Sequence, residues 1–171
     1  MACLTAEAVI TRLGLEPLGG EGGFYRRVHV SHHTIDTSAL GRHSLPMLPL
    51  SSVIYYLVTP ESISGLHWLA GEEVWTFILG DQLQQLVLFP DGTGETRVLG
   101  NLLELGSSAV SVVPAGCWQG TRLKASDGEY GYALCSTVMS PAFDNTDFRM
   151  GDIGLTELYP DFSDEIRRFL N

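Results

Sequence analysis

The sequence predicts an all-β fold, a sandwich or barrel, with a short helix at each end. Short runs rich in Val, Ile, Tyr, Thr and Trp recur from Ser52 to Met139. Turn-forming pairs and triplets separate them, at Thr59-Pro60, Gly80-Asp81, Pro90-Asp91-Gly92, Pro114-Ala115-Gly116 and Asp127-Gly128. Nineteen glycines in 171 residues suit that frequency of tight turns. Apolar stripes at helical spacing lie near the two ends of the chain.

In chain order, the first element is a helix over residues 5–13. Ala6, Val9, Ile10 and Leu13 share a face, Thr5 is placed to cap the N-terminus, and Gly14 to stop the C-terminus. The barrel is expected over about residues 22–140. The polar stretch His29–Pro49 holds His29, His32, His33 and His43, and reads as a strand pair, a long loop or an arm. His32 and His33 would face opposite ways on a strand, so a solvated loop, not a metal site, is expected of this cluster. Strands are expected at Ser52–Thr59, Glu73–Leu79, Gln84–Phe89, Thr96–Leu99, Ala109–Val113 and Tyr130–Met139. Alternation sets Val53, Tyr55 and Leu57 opposite Ile54, Tyr56 and Val58, and Glu73, Trp75 and Phe77 opposite Val74, Thr76 and Ile78. Both faces of these strands are largely apolar. One face then needs a partner sheet, and the other needs either the terminal helices or a second copy of the chain. The last element is a helix over about residues 161–170, with Asp161 as its cap. Phe162, Ile166 and Phe169 share its apolar face, and Arg167 and Arg168 suit its C-terminal end.

The length suits one domain, residues 1–171, and falls short of two. Asp and Glu number 20 against 10 Lys and Arg, a formal charge of −10. Such a surface repels phosphate backbones and anionic headgroups, so neither nucleic acid nor membrane is an expected partner. No apolar run approaches the ~18 residues of a membrane-spanning helix. Schiff-base chemistry has one candidate, Lys124, in a polar, loop-like stretch. Cys3, Cys117 and Cys135 are odd in number and contain no C-x-x-C pair, which suits a reducing compartment. Glu7 precedes any basic residue, unlike the n-region of a secretory signal, and the expected address is the cytoplasm.

The most informative stretch is Gly65-Leu66-His67-Trp68-Leu69-Ala70-Gly71-Glu72-Glu73 with Gly80 beyond it, followed later by Pro114-Ala115-Gly116-Cys117-Trp118-Gln119. The first part resembles the first motif of the cupin superfamily: a His-x-His pair, a glutamate a few residues on, and a glycine at the next turn. His67, Glu73 and Gly80 fall on three of those positions. The second part resembles the motif Pro-x-Gly-x-x-His. Further pieces follow in the order of one branch: Leu15-Glu16-Pro17, Glu21-Gly22-Gly23-Phe24-Tyr25-Arg26, Ile54-Tyr55-Tyr56-Leu57, Glu73-Val74-Trp75, Pro141-Ala142-Phe143-Asp144 and Asp147-Phe148. The ordered set is similar to the small single-domain cupins catalogued as a domain of unknown function, the Cupin_5 type. That resemblance implies a double-stranded β-helix, the cupin jelly roll, usually as a homodimer.

The resemblance also implies where a metal would sit, on two histidines, the glutamate and a third histidine. Here the second histidine position is Leu69 and the last is Gln119, leaving His67, Glu73 and Gln119. A neutral amide oxygen is a poor ligand for a borderline transition metal. No cofactor is therefore the expectation, and a weakly held divalent metal on those three residues is the alternative.

A closed barrel of this size has room for one small ligand. On the faces of His67 and Glu73 the candidate lining is Tyr55, Trp75, Phe77, Gln84, Leu86, Gln119 and Cys135, with Phe24, Tyr25 and Arg26 at the mouth. An aromatic in a β run is more often core than contact, so these are candidates only as a set. Arg26 suits a carboxylate or phosphate on the ligand. Three functional readings stay open. The first is metal-independent proton transfer, an isomerisation or epimerisation beside a carbonyl of a small or sugar-like metabolite. His67 would be its acid or base, Glu73 its partner, and Tyr55 or Tyr25 a second proton source. The second is a non-catalytic metabolite-binding module, and the third a metal-dependent enzyme. One lysine and few arginines argue against the diphosphate of a nucleotide sugar. Cys117 reads as a small hydrophobe of the β core.

Overall fold

The structure, a computed structural model, describes residues 4–101, 106–125 and 128–170. Cys3, and Asp127 of the expected Asp127-Gly128 turn, lie outside the described residues. The chain opens with α1 (Ala6–Leu13), β1 (Glu16–Pro17), β2 (Phe24–Val30), β3 (Thr34–Asp36), β4 (Met47–Pro49), β5 (Ser52–Val58), β6 (Ser64–Leu69) and β7 (Glu72–Gly80). It continues through β8 (Leu83–Leu88), β9 (Gly94–Leu99), β10 (Val110–Val113), β11 (Trp118–Leu123), β12 (Ala133–Ser140), β13 (Phe148–Met150), α2 (Leu155–Leu158) and α3 (Ser163–Arg168).

Two antiparallel sheets form the barrel, in the orders β1-β2-β5-β12-β7-β10 and β13-β6-β11-β8-β9. The inner faces meet over Tyr56, Val58, Trp75, Leu83, Val87, Leu99, Cys117, Leu123 and Cys135. Burial pushes the Cys117 and Cys135 thiols up, so both stay protonated packing residues. Gly80, at φ 111°, ends β7 where a Cβ would run into the Tyr132 carbonyl; only glycine fits that crossing.

The helices cover much of the outer surface. In α1, Thr5 Oγ1 accepts from the Ala8 amide at 3.3 Å and Gly14 closes the C-terminus at φ 61°. Its face packs on Leu57, Tyr132 and Leu134. At the other end Ile166 and Phe169 seal Leu66, Leu86 and Leu88. Asp161 is not the cap of that last helix. It sits in the 3-10 turn Pro160–Phe162, and α3 starts after it without a side-chain cap. The outer side of β2, β7 and β10 stays open, with Val28, Ile78, Val110 and Val112 each more than two-fifths exposed.

The His29–Pro49 stretch is a strand-pair arm: β2 runs to Val30, and β3 pairs with β4 in the register Ile35↔Leu48. His43 departs from the solvated-loop expectation. Its Nδ1 lies 2.7 Å from Asp147 Oδ2 with both side chains buried, which ties the arm to the chain just before β13. Burial would raise the Asp147 carboxyl, but the Ser44 amide at 2.7 Å and His43 more than offset it and hold it below the usual carboxylate range.

Strands β1, β2, β6, β11 and β13 go beyond the expected set. In β6 and β11 the residues Gly65, His67, Gln119 and Gly120 are weak strand formers that burial between neighbouring strands holds extended. Phe169 packs so close to Gly120 that a Cβ there would lie 2.8 Å from its ring.

Candidate functional site

Adjacent strands bring the polar residues together. β6 pairs with β11 so that His67 lies opposite Gln119. β7 pairs with β12 so that Glu73 faces Met139 and Trp75 faces Thr137. From the other side of β12, β5 sets Ile54 opposite Thr137 and Ser52 opposite Met139. The loop between β1 and β2 adds Glu21, whose carbonyl accepts from the Gly65 amide at 2.8 Å and so laces the loop to β6. These elements enclose a cavity of about 200 Å³, walled by Tyr25, Ile54, Leu69, Trp75, Phe143 and Phe148, with His67, Glu73, Glu21, Tyr56 and Arg27 among its polar groups beside Ser52, Thr137 and Asn145.

The chemistry at the inner end follows from hydrogen bonding. His67 Nδ1 stands 2.8 Å from the Gly65 carbonyl, which can only accept, so Nδ1 carries a proton and Nε2 is the nitrogen left to give or take one. The ring is buried and stacks on Phe148 at 5.5 Å. Glu73 Oε2 accepts from Gln119 Nε2 at 2.6 Å and Trp75 Nε1 at 3.1 Å, and the same indole N–H reaches Gln119 Oε1 at 3.1 Å. Burial raises the Glu73 carboxyl above its ordinary range, and His67 opposes that shift without cancelling it.

Glu21 stands behind the imidazole. Its Oε1 lies 3.9 Å from His67 Nδ1, 2.9 Å from the Tyr56 hydroxyl and 2.8 Å from Ser64 Oγ. Burial first, and Glu21 next, push the Tyr56 phenol well above its usual range, so it remains a hydroxyl donor.

A raised carboxyl has a consequence for stability. Glu73 binds its proton more tightly in the folded chain than in the unfolded one. Its contribution is therefore complete below the ordinary glutamate range and is lost as pH rises through the folded value. Glu73→Gln, whose amide oxygen still accepts from Gln119 and Trp75, is expected to be more stable than the parent in urea at neutral pH. The advantage should vanish at about pH 4. A variant weaker than the parent at neutral pH would mean that the cavity needs the ionised carboxylate.

His67, Glu73, Tyr25 and Trp75 line the cavity, and Gln119 is buried at its inner end, donating to Glu73 and accepting from Trp75. Other expected positions are corrected. Tyr55 points to the outer face, beneath the Arg26 guanidinium at 5.7 Å, and Tyr56 takes the inner position. Arg26 therefore lies outside, as does Phe24 against the α1 cluster, while Arg27 faces the cavity. Gln84 bonds Arg122 at 2.8 Å on the outer surface and Leu86 packs under the C-terminal helices; Leu83, Gln85 and Val87 point inward. Phe77 and Cys135 belong to the packed core beyond the cavity. The parity of a doubly apolar strand is not set by alternation, which orders neighbours but does not say which set faces in. Glu21, Tyr56 and Arg27 are the site residues that sequence reasoning missed. The recurring Glu21–Arg26 segment was the available signal for Glu21.

The donor set is a poor match for the metal that the resemblance implies. Leu69 offers no ligand, the Gln119 oxygen takes the Trp75 N–H, and Glu73 Oε2 already accepts two protein donors. Among the described residues no three of His, Cys, Asp and Glu converge as a metal-binding group.

Comparison with known proteins agrees with this architecture. Residues 7–151 match the family described as Cupin superfamily (DUF985). A solved structure of a hypothetical protein from Leishmania major is 33% identical, with 98% of this chain and 99% of that one covered, at a TM-score of 0.87. A solved protein from Shewanella oneidensis is 30% identical, covering 98% of each chain, at 0.83. An uncharacterized protein of Saccharomyces cerevisiae is 25% identical over 132 residues, 74% of this chain; the match spans 66% of the yeast protein, just under two thirds of its length.

Proposed function

The chain belongs to the DUF985 family of the cupin superfamily, and from that premise we propose that it binds a small metabolite in the barrel and moves a proton on it, beside a carbonyl, without a metal. The observation that carries this reading is the His67 ring. It is buried in the cavity wall with Nδ1–H committed to Gly65, which leaves the Nε2 lone pair as a base. Glu73, raised by burial, is the neighbouring acid, and Tyr56 and Tyr25 are hydroxyls within the same enclosure. Nε2 removes a proton from the carbon next to a carbonyl, and the electron pair passes to the carbonyl oxygen as an enolate. The imidazolium, or the Glu73 acid, then returns a proton to carbon. Glu21 orients the imidazole from behind, as a positioning residue.

The test is solvent deuterium entering the C–H beside the carbonyl of 2-oxobutanoate or dihydroxyacetone, read by proton NMR with and without protein. Protein-dependent exchange supports the reading, and its absence with both probes overturns it. The competing reading is a binding module, favoured by the saturation of Glu73 Oε2 by protein donors. It predicts a molecule that co-purifies and stays unchanged on incubation.

The exposed apolar residues Val28, Ile78, Val110 and Val112 suit a homodimer across that sheet face. Light scattering is expected to give twice the 18.7 kDa of the chain, and a stable monomer at micromolar concentration would count against it. No helix among the described residues is long and apolar enough to cross a membrane, and the free, buried Cys117 and Cys135 suit a reducing, cytoplasmic address.

A further inference from the structure

The polar groups of the cavity are unequally occupied. Glu73 is held by Gln119, Trp75 and Thr137, and Glu21 by Tyr56 and Ser64. Arg27 alone among the lining residues carries a fixed positive charge, and its guanidinium makes no hydrogen bond, ion pair or ring contact among the described residues. Most other arginines are engaged: Arg26 on Tyr55, Arg97 on Glu95, Arg122 on Gln84 and Arg149 on Trp68. The acceptors are thus largely answered within the protein, while the one strong donor set is not.

We propose that the cavity takes a small monocarboxylic acid, its carboxylate on the Arg27 guanidinium and its 2-oxo or 2-hydroxy carbon toward His67. This rests on the reading of the cavity as a ligand site. Arg27 is exposed at the rim of the cavity, and a guanidinium there can hold a carboxylate through two parallel N–H bonds, a geometry an ammonium cannot reproduce. The lining offers one guanidinium, enough to pair with one carboxylate, and the carboxyl groups of Glu21 and Glu73 in the same lining disfavour a second negative charge on the ligand. The cavity, about 200 Å³, has room for a short-chain acid. The apolar wall of Ile54, Leu69, Phe143 and Phe148 then meets the carbon chain.

Three probes on one skeleton isolate the headgroup: 2-hydroxybutanoate, 2-hydroxybutanamide and 1-amino-2-butanol. Each is titrated into the ¹⁵N-labelled protein, following the indole signal of Trp75 on the cavity wall. The acid is expected to bind at least about tenfold more tightly than the amide, the value of one charge-assisted pair. Arg27→Ala should erase the preference, and Arg27→Lys should restore part of it. The amine binding as well as the acid, a preference that survives Arg27→Ala, or no saturation by the acid at millimolar concentration would each overturn the proposal. The same titration in His67→Ala separates the two readings. The acid preference should persist there, because Arg27 makes it, whereas deuterium exchange should not. Exchange absent from the parent with the preference intact would defeat proton transfer alone.

Discussion

Deuterium entry into the probe is expected to fall by about two to four orders of magnitude in His67→Ala, the usual range for loss of a positioned acid-base group. The ring is held at one edge and one face: Gly65 takes its Nδ1–H at 2.8 Å, Glu21 Oε1 lies 3.9 Å from the same nitrogen, and Phe148 stacks on the ring. A fixed ring loses little freedom on reaching the transition state, so its removal takes away orientation as well as basicity. The side chain is 1% exposed, so alanine also leaves a hole, and folding must be checked by the urea midpoint. Added imidazole, which can enter the space vacated, should recover part of the rate. Exchange undiminished in a folded His67→Ala variant would remove this residue from the chemistry.

Trp75→Ala is expected to cost about 3–5 kcal/mol of stability, a large share of the roughly 5–15 kcal/mol available to a domain. The indole is 1% exposed and meets Tyr56 edge-to-face at 5.4 Å. It also donates to both Glu73 and Gln119, so the change removes a wall of the cavity and a donor together. Trp75→Phe divides these effects. It keeps most of the packing and deletes the N–H, with an expected loss of about 1–3 kcal/mol from the buried acceptor left short of a partner. Equilibrium urea unfolding measures both. A loss under about 1 kcal/mol in Trp75→Ala would show that the inner end of the barrel can collapse around the gap.

Much of the scaffold was legible before folding was considered. Thr5 and Gly14 bracket α1 as capping chemistry requires, because a hydroxyl and a left-handed glycine answer local backbone needs whatever surrounds them. The Pro114-Ala115-Gly116 turn and the β7 run from Glu73 to Leu79 are of the same kind, local signals with local causes. β6 and β11 were not legible in that way. Their Gly, His and Gln have little preference for extended structure, and they become strands because β13, β8 and each other supply the ladder.

The residue types alone determined that His67 and Glu73 precede Gly80 in a β-rich chain, that the chain carries a formal charge of −10, and that the terminal segments are amphipathic. Only the tertiary structure decided which parity of each strand faces inward: Tyr56 over Tyr55, Arg27 over Arg26, and Gln85 over Gln84. Alternation is a relation between neighbours on one strand, and it is unchanged when the strand is turned over. The choice is made by pairing between segments far apart in the chain, such as β12 against β5 and β7, and by which side the terminal helices cover. No local preference of the residues involved encodes it.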